Sequence, residues 1–267
     1  MKICEIRDDY RRLSIGFLYY FEDADSYLIE LPETLKKEDA PICFDAFLER
    51  KTYTVGPEQS RRYVESRVIP RDRQNIGAIL RSAGLKEYDA FRLLMLSEGK
   101  CAQDDCSIHP VNEVPEWLER RKKHWIRDAV ALPDYQMFLT FEEGTTKVAD
   151  LRGLLEGERT LAILLQREAD YRRVRVCGSG RYLDWGAGRI VMYDALYCMG
   201  TRLGLSREDF ARILEEALMD VPEICEKYDV SRQYVHKKLQ EAGVQPVKKS
   251  GTGNLYRTDE VRRSFEK

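Results

Sequence analysis

Closely spaced helix starts near the end of the chain limit the possible fold more than any other feature of the sequence. Ser206 and Asp209 have the spacing of a capping box, in which each side chain accepts a hydrogen bond from the other's backbone N–H. Asp220 and Glu223 repeat this spacing, and Ser231 is placed to cap a further helix. The first helix carries an apolar stripe made of Phe210, Ile213, Leu214, Ala217 and Leu218. The sequence therefore predicts three short helices in immediate succession.

The second and third of these helices have the spacing of a helix-turn-helix. Such a motif needs a small residue where its helices touch, a tight turn, an apolar residue after the turn and apolar positions inside the second helix. These places are filled in order by Cys225, Asp229, Val230, Val235 and Leu239. Aspartate is tolerated at the turn because its short side chain stabilises a left-handed backbone.

The third helix leaves a polar, basic face toward solvent. This face consists of Arg232, Gln233, His236, Lys237 and Gln240. Arginine pairs well with guanine edges and glutamine with adenine edges, so the face predicts contacts in the major groove of DNA. Ser231 at the helix start joins the predicted interface, and so does Tyr234, which either packs inward or donates its hydroxyl to a phosphate.

A hairpin of two short strands around a glycine-rich tip is predicted after the third helix. Lys248 and Lys249 lie on its first strand and Arg257 ends its second, before a closing helix that begins at Thr258. Between positions 232 and 257 six Lys and Arg face one acid, a local charge of +5 in a chain whose net charge is -2. This local excess favours a polyanionic partner.

The helices and the hairpin together resemble the DNA-binding domains of MerR-type and excisionase-type regulators. The resemblance implies a winged helix-turn-helix over residues 203–267, in which Lys248, Lys249 and Arg257 hold phosphates. We therefore expect a bacterial or phage regulator of transcription that binds double-stranded DNA, with repression as its mode of action. A single winged helix-turn-helix contacts few base pairs, so we expect a homodimer.

The first 112 residues predict an α+β domain, and Pro110 to Pro115 is a plausible boundary. Its predicted elements are a hairpin of Leu13 to Phe21 with Tyr27 to Leu31, a strand at Lys51 to Val55, and helices at Glu58 to Arg67, Arg73 to Ala83 and Glu87 to Ser97. A linker helix over residues 113–130 follows, with basic residues between Trp117 and Trp125. Two interpretations stay open: the basic residues form the solvated side of an amphipathic helix, or they contact a DNA backbone.

Residues 131–202 predict a second small α+β domain. Its strands are expected at Tyr135 to Phe141, Thr145 to Leu151, Arg173 to Cys177 and Arg181 to Trp185, with helical structure at Leu154 to Glu168. Its motif residues are Phe141, Gly144, Val148, Asp150, Leu151, Val174, Val176, Leu183, Trp185, Gly188 and Tyr193 to Tyr197.

These motifs resemble the small bacterial domain-of-unknown-function family 2442. The sequence departs from the family pattern at Arg189, where aspartate is usual, and at Gly186, where proline is common. Some members of that family also carry a helix-turn-helix after this domain. The resemblance thus implies a role in sensing, dimerisation or partner binding.

The expected fold class is α+β and multi-domain, with two small α+β domains before a mainly helical winged helix-turn-helix. The alternative function is that of an interaction protein, an antitoxin or a phage-encoded inhibitor, whose N-terminal domains bind a protein target while its C-terminal domain regulates its own promoter. Two experiments separate these functions: an effect retained by residues 1–200 alone would indicate the interaction protein, and an effect abolished by Arg232→Ala with Gln233→Ala would indicate the regulator.

Other kinds of site have little support in the sequence. Cys101, Cys106 and His109 have an unusual spacing for zinc, and Gly178 with Gly180 is better explained as a hairpin turn than as a phosphate-binding loop. We expect no enzyme activity, no cofactor and no metal. The odd number of cysteines, seven, argues for reduced thiols and a cytoplasmic location. No apolar stretch approaches the ~20 residues of a membrane-spanning helix.

Overall fold

A computed structural model describes residues 1–249 and 253–266. The chain divides into two compact units of mixed α+β structure. Unit 1 comprises Met1–Glu143 and Lys147–Thr201, and unit 2 comprises Gly144–Thr146 and Arg202–Lys267. Ser250, Gly251 and Thr252 of the predicted hairpin tip, and Lys267, lie outside the described residues.

The first part of unit 1 is built on an antiparallel sheet with the strand order β4-β3-β2-β1-β5. The strands are β1 (Lys2–Asp8), β2 (Leu13–Phe21), β3 (Ser26–Glu30), β4 (Thr54–Val55) and β5 (Cys106–Pro110). The predicted hairpin of β2 and β3 is confirmed, with Leu18 opposite Ile29. Sequence reasoning missed β1, although the alternation of charged residues with its buried Cys4 and Ile6 is the pattern of a half-buried strand.

Short helices cover one face of this sheet and complete its apolar core. They are α1 (Asp45–Glu49), α2 (Pro57–Glu65), α3 (Ile76–Ser82) and α4 (Ala90–Leu96). A fifth helix, α5 (Glu116–Lys122), lies on the other face, where its Leu118 packs with Phe17 and Leu28. Tyr63 and Val64 of α2 and Leu94 of α4 are buried against the sheet. The three helices predicted in this region are therefore confirmed, although each is shorter than expected.

The predicted linker helix ends earlier than the sequence suggested. Trp117 and Leu118 lie on α5, but Ile126 begins a strand that pairs antiparallel with residues 137–141. The prediction of one helical face that joins Trp117 to Ile126 is therefore wrong. The backbone groups of 126–131 are thus paired with a neighbouring strand instead of within a helix.

The second part of unit 1 contains two further sheets. Its strands are β6 (Ile126–Ala131), β7 (Gln136–Phe141), β8 (Thr145–Asp150), β9 (Arg175–Cys177), β10 (Tyr182–Asp184) and β11 (Ile190–Met192). Its helices are α6 (Arg152–Gly157), α7 (Glu168–Tyr171) and α8 (Tyr193–Met199). The predicted strands are confirmed, whereas the predicted helix at 154–168 is broken into α6 and a 3-10 turn at Ala162–Gln166. Gly178–Gly180 form the tight turn of a hairpin, as expected.

The sequence predicts separate domains at 1–112 and 131–202, and unit 1 contains residues of both, except 144–146 and 202, which belong to unit 2. A buried apolar cluster joins them, because Phe17 and Leu28 of the first sheet pack with Leu118 and Tyr182. Pro110 to Pro115 therefore connects two parts of unit 1.

Gly180 allows the turn between β9 and β10 to approach the start of β6 closely. Its φ is +90°, and a Cβ atom there would lie 2.4 Å from the carbonyl oxygen of Ile126. Gly186 has a similar φ of +80° but no atom within 4 Å of such a Cβ. We expect Gly180→Ala to lower the free energy of unfolding by about 1–3 kcal/mol more than Gly186→Ala, because only the former adds a backbone clash. Urea unfolding followed by tryptophan fluorescence measures the difference, and equal losses would contradict it.

Unit 2 is mainly helical and contains a small sheet of order β13-β15-β14. Its elements are β12 (Thr201–Ser206), α9 (Arg207–Ala217), β13 (Leu218–Asp220), α10 (Val221–Tyr228), α11 (Arg232–Glu241), β14 (Lys248–Lys249), β15 (Asn254–Arg257) and α12 (Thr258–Phe265). The start of β8 belongs to this unit, since Thr146 Oγ1 donates to the Leu205 carbonyl at 2.6 Å. None of the described helices is long and apolar enough to span a lipid bilayer.

Candidate nucleic-acid interface

The starts of α10 and α11 are fixed by their own side chains. Asp220 Oδ1 accepts from the Glu223 backbone N–H at 2.8 Å, and Glu223 Oε2 accepts from the Asp220 N–H at 2.7 Å. Ser231 Oγ accepts from the Tyr234 N–H at 3.3 Å. The caps predicted from the sequence are therefore confirmed, and each satisfies backbone donors that the helix itself leaves free.

A tight turn connects these two helices. Asp229 adopts the left-handed conformation with a φ of +51°, and the Val230 N–H donates to the Cys225 carbonyl at 3.1 Å. This turn matches the expectation that aspartate can replace glycine there. Only three residues separate the end of α10 from the start of α11.

Apolar side chains hold α11 on one side. Val235 is fully buried and Leu239 is 2% exposed. They pack in one cluster with Val221, Ile224, Tyr256 and Val261. Burial of each aliphatic side chain is worth about 1.5–3 kcal/mol, so the inner face of α11 is firmly placed.

The opposite face of α11 is open to solvent. All ten residues of the predicted interface are exposed: Ser231, Arg232, Gln233, Tyr234, His236, Lys237, Gln240, Lys248, Lys249 and Arg257. Tyr234 combines the two roles considered for it, since its ring meets Phe265 edge-on at 6.3 Å while 47% of the residue stays exposed.

The cations of this surface differ in their pairing. Within residues 1–249 and 253–266, Arg232, Lys248 and Lys249 take part in no ion pair. Lys237 Nζ lies 3.8 Å from Glu241 on the next helical turn, a weak exposed pair. Arg232 and the two hairpin lysines are therefore the cations readiest to meet an anion.

Arg257 is held by a carboxylate that sequence reasoning did not assign to it. Its Nε and Nη2 donate to the two oxygens of Asp259, each at 3.1 Å. Partial loss of solvation raises the pKa of Asp259, but the hydrogen bond and charge of Arg257 outweigh this and lower the pKa below its ordinary value. A phosphate contact of Arg257 would have to share the guanidinium with Asp259.

The hairpin after α11 is anchored from its second strand. Lys248 pairs with Leu255 and Lys249 with Asn254, as predicted for two strands of a hairpin. The other edge of β15 pairs with β13, a strand that the sequence did not predict. This pairing fixes the base of the hairpin to the start of α10.

The apolar stripe predicted on the first helix of unit 2 is not part of its core. No residue of α9 is buried, and Ile213 and Leu214 are 45% and 44% exposed. Leu218, expected at the end of the stripe, lies in β13 instead. The capping box of Ser206 with Asp209 fixes only where this helix starts.

The described part of the chain brings together no other site of the kinds considered. Cys106 is buried on β5, and no group of three or more His, Cys, Asp or Glu side chains in residues 1–249 and 253–266 could hold a metal ion. On the same strand Ser107 Oγ lies 2.7 Å from His109 Nε2, but Ser107 is fully buried.

Comparison with protein-family models, with curated proteins and with solved structures gives no match for this chain. The resemblances seen in the sequence therefore stay predictions.

Proposed function

We propose that unit 2 is a winged helix-turn-helix that binds double-stranded DNA, and that the protein regulates transcription by occupying promoters. The observation that carries this proposal is the division of α11 into two faces. Val235 and Leu239 are buried on its inner face, while every predicted DNA-binding residue on its outer face is exposed. Repression is the expected outcome of such occupancy.

The dimensions of α11 suit the major groove. A helix with side chains is about 10–12 Å wide and the groove is about 12 Å wide. Arg232 and Gln233 stand in the first turn of α11, where base edges are nearest when a recognition helix enters by its N-terminus. Lys237 and Gln240 follow further along the helix, toward the flanking phosphates.

Lys248 and Lys249 would bind the DNA backbone from the hairpin. Both are exposed on β14 and neither is paired with an acid of the described residues. Since phosphate contacts carry no sequence information, these lysines contribute affinity rather than selectivity. A homodimer is the expected assembly, because two half-sites give the selectivity that one short contact lacks.

Loss of a hairpin lysine should weaken binding to every DNA sequence alike. We expect Lys248→Ala or Lys249→Ala to lower the slope of log affinity against log salt by about one, because one fewer counterion is released. Arg257→Ala is expected to change the slope less, since Asp259 already engages its guanidinium. Fluorescence anisotropy on random duplex DNA over a range of salt concentrations measures these slopes.

Selection of DNA fragments from a random pool by the purified full-length protein tests the proposed function directly. Enrichment of one sequence, and its loss on substitution of the outer face of α11, would support the proposal. Recovery of no common sequence, together with affinity for random DNA unchanged by Lys248→Ala, would refute it. Arg212→Ala on α9 is a matched control, because it removes an exposed cation of unit 2 outside α11 and the hairpin.

A further inference from the structure

A cluster of buried side chains in unit 1 contains two positively charged groups but only one negatively charged group. Glu30 on β3 is fully buried and accepts three hydrogen bonds of 2.9 Å, from Arg181 Nε, from Arg121 Nη1 and from Thr54 Oγ1. The Arg181 side chain is fully buried, and that of Arg121 is 8% exposed. Two buried guanidinium groups thus share one buried carboxylate. A net positive charge away from water is unfavourable unless an anion compensates it.

Glu33 is the second acid near Arg121, and it is a weak partner. Its Oε1 lies 3.5 Å from Arg121 Nη2, and its side chain is 71% exposed. A hydrogen bond of that length is weak, and water screens an exposed carboxylate. Nη1 of Arg121 is already used by Glu30 and by the Leu31 carbonyl at 3.0 Å. Nη2 therefore remains available to a better-placed anion.

A cavity of about 170 Å³ lies beside Arg121 and Glu33. Other side chains in its wall that carry hydrogen-bond donors include those of Lys51, Tyr53, Thr54, His124, Tyr193 and Tyr197. Asp194 adds a second acid to the cavity wall; its Oδ1 accepts from the Ala195 backbone N–H at 2.8 Å, and no ion pair joins it to Arg121 or Lys51 within the described residues. Since one water molecule takes about 30 Å³ in the liquid, the cavity has room for a solute of only a few heavy atoms.

We propose that this cavity binds a small carboxylate, of roughly two to four carbon atoms, whose carboxyl group replaces Glu33 at Arg121 Nη2. A guanidinium group binds a carboxylate in a planar arrangement, which makes a carboxylate a better match than a spherical anion. The bound anion compensates the second buried guanidinium, and Lys51 at the cavity wall adds a further attraction. This proposal concerns unit 1 and does not depend on DNA binding by unit 2.

Titration of the full-length protein with sodium acetate tests the proposal. Sodium chloride at the same ionic strength and the neutral analogue acetamide serve as comparison solutes. Binding is followed in two-dimensional NMR spectra of the backbone amides that line the cavity. We expect saturable shifts with acetate alone. Glu33→Gln should lower the acetate Kd about fivefold, the factor expected for loss of a competing, partly exposed ion pair.

Two further variants make the test specific. Glu113→Gln removes an exposed acid of unit 1 outside the cavity and should leave the acetate Kd unchanged. Lys51→Glu adds a carboxylate at the cavity wall and should raise the Kd. Shifts that do not saturate, shifts that acetamide reproduces, or equal acetate affinity of the original protein and Glu33→Gln would each overturn the proposal. Because DNA is absent from these measurements, their failure would leave the proposed function untouched.

Discussion

Replacement of Glu30 by alanine is expected to lower the free energy of unfolding of unit 1 by about 3–5 kcal/mol, the usual cost of removing one partner from a buried ion pair. Both Arg121 and Arg181 would lose their buried counter-ion. Arg181 cannot turn toward water, because its guanidinium lies between the rings of Tyr19 and Trp125, at 3.9 and 3.7 Å. Since domains are stable by only about 5–15 kcal/mol, this loss threatens folding itself.

The chain offers a matched control and a suitable probe for this prediction. Glu33→Ala removes an acid that contacts the same Arg121 but is exposed, so we expect a loss below about 1 kcal/mol. The three tryptophans, at positions 117, 125 and 185, all belong to unit 1, so their fluorescence during urea unfolding reports on this unit. Glu30→Gln keeps the volume and should give an intermediate loss if the alanine variant does not fold. Equal losses at positions 30 and 33 would contradict the assigned role of Glu30.

Local sequence signals were sufficient to predict α10 and α11. Their caps and the left-handed turn at Asp229 depend on residues within three or four positions of one another. The inward positions Val235 and Leu239 follow from helical periodicity, which also identifies the exposed face. The candidate interface was therefore predictable because its chemistry lies on one short helix and one hairpin.

The buried charges of unit 1 had no local signal. Glu30 and Arg121 are 91 residues apart in the chain, and Glu30 and Arg181 are 151 apart. Arg121 lies in a stretch of basic residues that sequence reasoning assigned to solvent or to DNA, and nothing nearby identifies it as the buried one. Only the packing of Leu118 and Tyr182 on the first sheet brings these side chains together. The same long-range packing joins the two parts of unit 1.

The apolar stripe of α9 shows the opposite case, in which a local signal does not decide burial. Its spacing predicted an inward face, yet Ile213 and Leu214 remain half exposed. The core of unit 2 is already filled by side chains from α10, α11, β15 and α12. Periodicity thus identifies which side chains share a face, whereas tertiary packing decides whether that face is buried.

Removal of Arg232 and Gln233 together is expected to lower affinity for the selected DNA sequence by about 10² to 10⁴, because each good base contact is worth about 1–3 kcal/mol. Both side chains are exposed, and alanine is favourable within a helix, so the double variant should keep its fold. Circular dichroism checks this point. Binding is measured by anisotropy on the selected duplex and on a random duplex, at one fixed salt concentration.

The loss of affinity on the selected duplex, compared with the loss on the random duplex, distinguishes base contacts from backbone contacts. Arg232 and Gln233 begin α11 directly after its Ser231 cap, so they are the side chains placed to meet base edges if α11 enters the groove by its N-terminus. The loss should therefore be large on the selected sequence and only a few-fold on the random one, where phosphate contacts dominate. Gln233→Ala alone should relax selectivity at a single base pair. Equal losses on both duplexes would assign these residues to the backbone and refute their role in sequence recognition.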